Sequence, residues 1–228
     1  MKSFRIHPVR GRIAVLASGG LDSSVMLADL ARRGRRVFPI YVRAGLKWER
    51  AELSVLRKFI AALRNPRLKS VAVLESPMTD VAGSHWSVTG RGVPGFSAQV
   101  ESNYIVGRNL SLLVKAAVFC AQSKIGEIAL APLESNPFPD ARPEFFRAVE
   151  RAVALGIGLP LRIVTPFAGM TKAQVIGKGR ALRLDLTLTC ANPRGTLHCG
   201  RCTKCAERVA GFAAVRIPDP TRYVHRPG

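Results

Sequence analysis

Two groups of residues in this chain carry chemistry by type and spacing. The first is Ser18-Gly19-Gly20-Leu21-Asp22-Ser23-Ser24. Its glycines let the backbone come close to a ligand, and successive N–H groups at the start of a helix form a concave nest for an anion. On its own a Gly-Gly pair is equally a tight turn whose Asp or Ser caps the helix. The second group is Cys190, Cys199, Cys202 and Cys205, spaced C-x8-C-x2-C-x2-C. Four thiolates at that density can close a tetrahedral metal site with no open position, which makes a zinc ion there structural. An iron–sulfur cluster is the rival occupant. Gly200 gives the turn between Cys199 and Cys202 room to wrap a metal, and Arg201, Lys204 and Arg208 are placed to offset thiolate charge. His198 is a spare ligand that four thiolates do not need.

These residues need a frame. Residues 12–17, RIAVLA, read as a buried strand that breaks at the glycines before a helix carrying Val25, Met26, Leu27 and Leu30. The alternation continues with strand 37–42, helix 49–63 and strand 70–74. A polar, Gly-rich stretch over 80–100 has no clear period and reads as a loop or lid. Helix 108–122, strand 127–131, helix 143–155 with Pro143 in its first turn, and strand 161–165 follow. Thr171 and Gln174 stand in capping-box spacing before a helix that ends near Leu182. Strands alternating with helices predict an α/β fold, a doubly wound and mainly parallel sheet with ligands outside the carboxyl ends of its strands. Residues 1–182 form the nucleotide-binding domain in this reading, and 183–228 form a four-cysteine segment packed on it.

With 228 residues, 47% of them hydrophobic, the chain can fill a sizeable core, so a disordered tail is excluded. Its 35 Lys and Arg against 15 Asp and Glu give +20, a field that favours phosphate-bearing partners, whether nucleotide or nucleic acid. The 26 Arg, against five Asn and three Gln, fit composition bias or a hot habitat as well as RNA binding. No apolar run approaches a membrane span, and the start lacks a leader-like apolar segment, so a cytoplasmic protein is expected. Clustered cysteines in such a chain favour a metal over disulfides.

The string SGGLDSS resembles the pyrophosphate loop, S-G-G-x-D-S, of the ATP pyrophosphatase superfamily, whose members split ATP into AMP and pyrophosphate. It has neither a Walker ending nor a dinucleotide fingerprint. Three further strings narrow the likeness. Tyr104-Ile105-Val106-Gly107-Arg108-Asn109 resembles the Y-V-P-x-R-N of 7-cyano-7-deazaguanine synthases, Phe138-Pro139-Asp140-Ala141-Arg142-Pro143-Glu144-Phe145 resembles their Y-P-D-C-R-P-E-F, and the tail from Thr189 through Ile217-Pro218-Asp219-Pro220 is similar to their zinc segment. The resemblance spans nearly the whole chain in the same order.

It implies an adenine nucleotide alpha hydrolase-like fold and an ATP site made of Ala17, Ser18, Gly19, Gly20, Leu21, Asp22, Ser23 and Ser24. The serines and glycines would hold phosphates, and Asp22 would lie near Mg2+ bound with ATP. Arg108 and Arg142 would meet charge on the reacting oxygens, which with Asp22 makes the catalytic set. Glu134, Asp140 and Asn109 would form the substrate side, with a buried Glu134 accepting the N–H pair of a guanine-like edge. The four cysteines would hold one structural Zn2+ per chain. The implied activity is carbon–nitrogen ligation: the carboxylate of 7-carboxy-7-deazaguanine is adenylated, ammonia gives an amide, and a second ATP drives dehydration to the nitrile. A homodimer is implied as well.

The chain also departs from the family pattern. Where D-Y-G-Q-x-H is usual after the second strand, it reads Tyr41-Val42-Arg43-Ala44-Gly45-Leu46-Lys47-Trp48-Glu49, with the acid, the Gln and the His absent and Gly45 and Glu52 left as matches. Val106 and Ala141 replace the usual Pro and Cys, and the Asn expected after strand 127–131 is replaced near Ala131 and Pro132. An offshoot passing a related deazapurine carboxylate to another amine fits these changes. A tRNA-base adenylating enzyme, for which +20 supplies phosphate contacts, and a non-enzymatic zinc-ribbon nucleic-acid binder are the remaining readings.

Overall fold

Side chains of β1 (Arg12–Leu16) alternate between two apolar layers, and that alternation sets the architecture. Ile13 and Val15 face one layer and Ala14 the other, as the two-residue period of a strand requires. The computed structural model describes residues 5–227. After β1 come α1 (Leu21–Arg32), β2 (Arg36–Arg43), α2 (Glu49–Leu63), β3 (Ala72–Glu75), the single-turn α3 (Trp86–Thr89), α4 (Arg108–Gln122), β4 (Glu127–Ala129), α5 (Pro143–Ile157), β5 (Arg162–Val164), α6 (Lys172–Gly179) and α7 (Thr203–Ala214). All strand pairs are parallel, and the order across the sheet is β3-β2-β1-β4-β5.

One layer packs α1, α6 and α7 on β1 and β2 through Val25, Leu27, Val175, Ile176 and Phe212. The opposite layer packs α4 and α5 through Leu113, Ala117, Phe146 and Val149. This is the doubly wound α/β sheet that the alternation predicts. The strand order reverses between β1 and β4, so the loops after those two strands diverge and leave a crevice at their carboxyl ends. The loop after β1 is the stretch 18–24.

The capping box of α6 is present in both directions, Thr171 accepting from Gln174 N and Gln174 accepting from Thr171 N. Two features differ from the sequence reading. The stretch 80–100 is a pinned strap: Lys47 N–H donates to Ser87 O at 2.9 Å, Thr203 N–H donates to Pro94 O at 3.2 Å, and Gly95 bridges Cys202. The four-cysteine segment also holds a helix that the sequence reading did not assign, since α7 begins inside it and carries Cys205. No helix among the described residues is long and apolar enough to cross a membrane.

Candidate active site and cysteine cluster

Loop 18–24 owes its shape to its own serines. Ser18 Oγ accepts from Gly20 N at 3.2 Å, Ser23 Oγ accepts from Ser18 N at 3.3 Å, and Ser23 Oγ–H donates to Gly20 O. Gly19 has φ +74° and lies so close to α2 that a Cβ would stand 2.5 Å from Glu52 O, so only glycine fits. The first helical bond of α1 runs from Ser24 N to Gly20 O, which leaves the N–H groups of Asp22 and Ser23 as free donors at the helix start. The loop is completed from far along the chain, for Leu188 N–H donates to Gly19 O at 2.8 Å.

Three cavities meet at Ser18 and Arg108. The first, about 200 Å3, runs from the loop to the cysteine segment past Asp22, Trp48, Glu52, Trp86, Lys172 and Glu207. The second, about 220 Å3, fills the crevice between β1 and β4 and reaches Asn109, Pro132 and Asn136. A third of about 60 Å3 lies over Ala17 and Tyr41. Within this cleft Asp22 Oδ2 accepts from Lys172 Nζ at 2.5 Å, while Asp22 Oδ1 is buried with no partner. Arg108 Nε is likewise buried and unpartnered. A carboxylate oxygen and a guanidinium N–H left open beside an anion nest are what a cation-bound phosphate requires.

Sequence reasoning missed the charges behind Asp22. Lys172 Nζ also reaches Glu207 Oε1 at 2.8 Å, and Lys204 Nζ reaches Glu207 Oε2 at 3.1 Å, which makes an alternating chain from the loop to α7. Burial works against the charged form of Lys172, yet Asp22 and Glu207 outweigh it and raise its pKa. Burial likewise works to raise the Glu207 pKa, and Lys172 and Lys204 overcome it, carrying it down to about 2. The only sequence signal for Lys172 was its place just after the capping Thr171. A carboxyl held below its ordinary range contributes stability that is complete above its unfolded pKa and is lost as pH falls toward the folded one. Glu207→Gln is therefore expected to flatten the loss of stability between about pH 4.5 and pH 2 and to cost on the order of 3 kcal/mol at neutral pH. Urea midpoints measured across that range check this; parallel acid limbs for the two proteins contradict it.

Other expected site residues divide. Ser18, Gly20, Leu21, Asp22, Ser23 and Arg108 line the cleft. Gly19 shapes it from behind. Ser24 is fully buried under the loop, its Oγ unpaired. Asn109 lines the second cavity, but it and Asp140 mainly bind each other: Asp140 Oδ2 accepts from Asn109 N at 3.1 Å, and Asn109 Nδ2 donates to Asp140 O at 3.0 Å. Desolvation raises the Asp140 pKa against these bonds. The pair anchors the turn before α5 to the start of α4.

Two residues expected at the site stand outside these cavities. Glu134 is exposed, because the loop after β4 turns outward with Glu134 N tied to Met170 O, so it is not a desolvated acceptor. Arg142 is exposed too; it donates to Pro137 O and lines none of the three cavities.

The four cysteine sulfurs are buried and all lie within 4.8 Å of one another. Cys202–Cys205, Cys199–Cys205 and Cys190–Cys202 are 3.6, 3.9 and 4.0 Å apart, near the ~3.8 Å edge of a tetrahedron of sulfurs around zinc. Backbone N–H groups of Ala191, Cys199 and Arg201 point at three of the sulfurs. Gly200 has φ +79°, and a Cβ there would stand 2.1 Å from His225 O. His198 is not a spare ligand: its Nε2 accepts from Thr189 N at 2.9 Å, and burial and Arg208 lower its pKa to about 3. Arg208 does not serve the thiolates first either. It is buried and donates to Leu184 O and Thr187 Oγ1 and faces Asp219, tying the Ile217-Pro218-Asp219-Pro220 tail to α7.

A family model for the queuosine biosynthesis protein QueC matches residues 12–216. Similar proteins include 7-cyano-7-deazaguanine synthases of Anaeromyxobacter sp. (strain Fw109-5), 33% identical over 94% of this chain and 97% of that protein, and of Azoarcus sp. (strain BH72), 35% identical over 94% and 98%. The synthase of Methanothrix thermoacetophila is 31% identical over 94% of this chain and all of its own. Among solved structures, a 4-thiouridine synthetase in complex with RNA and bound ATP is 14% identical with TM-score 0.49, covering 93% of this chain and 47% of that one.

Proposed function

The chain belongs to the family of the queuosine biosynthesis protein QueC, and from that membership we propose that it is an ATP-dependent carbon–nitrogen ligase that adenylates 7-carboxy-7-deazaguanine and converts it with ammonia to the nitrile. The observation that carries this reading is the convergence of loop 18–24, the open Asp22 oxygen and Arg108, Lys172 and Lys204 on one cleft.

A carboxylate is inert toward ammonia, whereas its adenylate carries a good leaving group. The acid oxygen attacks the α-phosphorus, the bond to the β-phosphate oxygen breaks, and pyrophosphate departs. Ammonia then displaces AMP to give the amide; the amide oxygen attacks the α-phosphorus of a second ATP with release of pyrophosphate, and AMP leaves with that oxygen as both N–H protons are lost, which gives the nitrile. In this chain the N–H groups of Asp22 and Ser23 and the Lys172 ammonium receive charge that accumulates on pyrophosphate, and Arg108 steadies the α-phosphoryl oxygens. Asp22, with its unpartnered oxygen, would hold a Mg2+ bound with the nucleotide, which would neutralise phosphate charge. Cys190, Cys199, Cys202 and Cys205 would hold a Zn2+ as four thiolates, which would fix α7, and through it Glu207 and Lys204, against the cleft.

The test is mass spectrometry of products after incubation with ATP, Mg2+, 7-carboxy-7-deazaguanine and ammonium. AMP, pyrophosphate and the nitrile are expected; ADP without AMP overturns the reading. Leu46 and Trp48 stand in the departing stretch, and Trp48 lines the cleft. They favour, as a second reading, a related deazapurine acid or another amine, which pyrophosphate release across an acid and amine panel would reveal.

A further inference from the structure

Trp48 and Trp86 are the only two tryptophans of the chain, and they meet in the cleft with ring centroids 5.6 Å apart and planes 23° from parallel. They come from different elements. Trp48 is buried just before α2, in the stretch that departs from the family pattern, and Trp86 opens α3 on the strap. The structure fixes both. Lys47 N–H donates to Ser87 O at 2.9 Å, and His85 Nδ1 accepts from Ser87 N and packs its ring 5.2 Å from Trp86. Gly45 leaves the loop before Trp48 close to Thr79, where a Cβ would stand 2.4 Å from Thr79 Cγ2. Two indoles held this way lose little freedom when something packs on them.

Around this wall the cleft has a polar side. Glu52 is buried and accepts from Tyr41 Oη at 2.8 Å, and Arg108 faces it with its Nε free. An aromatic pair lining the same cleft as a carboxylate and an unused guanidinium N–H suits a flat ring with donors and acceptors on its edge. Burial raises the Glu52 pKa to about 7, offset in part by Arg108 and Tyr41, so near neutral pH it can take or give a proton in such a contact.

We infer that the Trp48–Trp86 wall is a stacking platform for a purine-sized fused ring, its polar edge turned to Glu52 and Arg108. The inference rests on the ligase reading for the identity of the two available rings, adenine of ATP and the deazapurine of the acid. It places base recognition on the strap and on the loop after β2, not on the exposed Glu134.

Because every tryptophan belongs to the wall, indole emission reports on it alone. The full-length protein is titrated separately with ATP, with 7-carboxy-7-deazaguanine and with inorganic pyrophosphate, and AMP formation is followed in parallel. One ring-bearing ligand should quench emission saturably while pyrophosphate leaves it unchanged; which one quenches identifies the ring. Trp48→Phe and Trp86→Phe assign the signal to each indole. Trp86→Ala should raise the KM for the quenching ligand about 5- to 150-fold, the range of base–aromatic stacking, with kcat and the other KM within about threefold. Trp86→Phe should restore most of the loss. Unchanged emission with both ring ligands, or equal quenching by pyrophosphate, overturns the inference even if AMP forms, and the ligase reading then stands. Quenching by a ring ligand without AMP formation leaves the platform and removes the ligase reading.

Discussion

Asp22→Asn is expected to fold normally and to lose turnover by at least about 100-fold, the scale of removing one preorganised charge from a phosphoryl-transfer site. The side chains are nearly isosteric, so the stability change should stay near 1 kcal/mol, from weakening one bond to Lys172. Lys172 keeps Glu207 at 2.8 Å and stays in place. What the variant lacks is the negative oxygen that is now buried without a partner. Steady-state kinetics with a thermal melt decide the matter: full AMP formation means that Asp22 serves only as the partner of Lys172, and a collapsed melt means that its role is structural.

Removing the metal is the other large effect. Cys202→Ser, or prolonged chelation, is expected to lower Tm by more than about 10 °C, since a structural zinc contributes directly to folding free energy. Catalysis should fail with it. Cys202 caps α7, Cys205 stands in its first turn, and Glu207 follows on the same helix with Lys172 and Lys204 as partners. Elemental analysis of protein purified without chelator should give one zinc per chain. An iron–sulfur absorption, or no stoichiometric metal, would defeat the assignment.

What was legible in the sequence was local. The boundaries of α2 and α4 could be read because an amphipathic period and strong breakers specify a helix without help from elsewhere. The glycine loop and the thiolate set were legible because phosphate and zinc demand particular residues at short spacing. The exposure of Glu134 and Arg142 was not legible because a motif names residues and not the direction in which a loop turns. Lys172, Glu207 and the tryptophan pair were missed because long-range packing alone assembles them. Lys172 reaches Asp22 across 150 residues, and Trp48 and Trp86 meet through a strap with no period of its own.

That long-range assembly bears on how the protein is made. Gly19 waits for Leu188, Asp22 for Lys172, and Lys172 for Glu207. On a ribosome the first half of the chain emerges with its glycine loop unfinished, and the site closes only after the last helix has left the exit tunnel. A nascent or prematurely terminated chain thus carries the signature string without the residues that complete its site. The length of chain released, more than the presence of the loop, decides when the cleft of each new molecule is assembled.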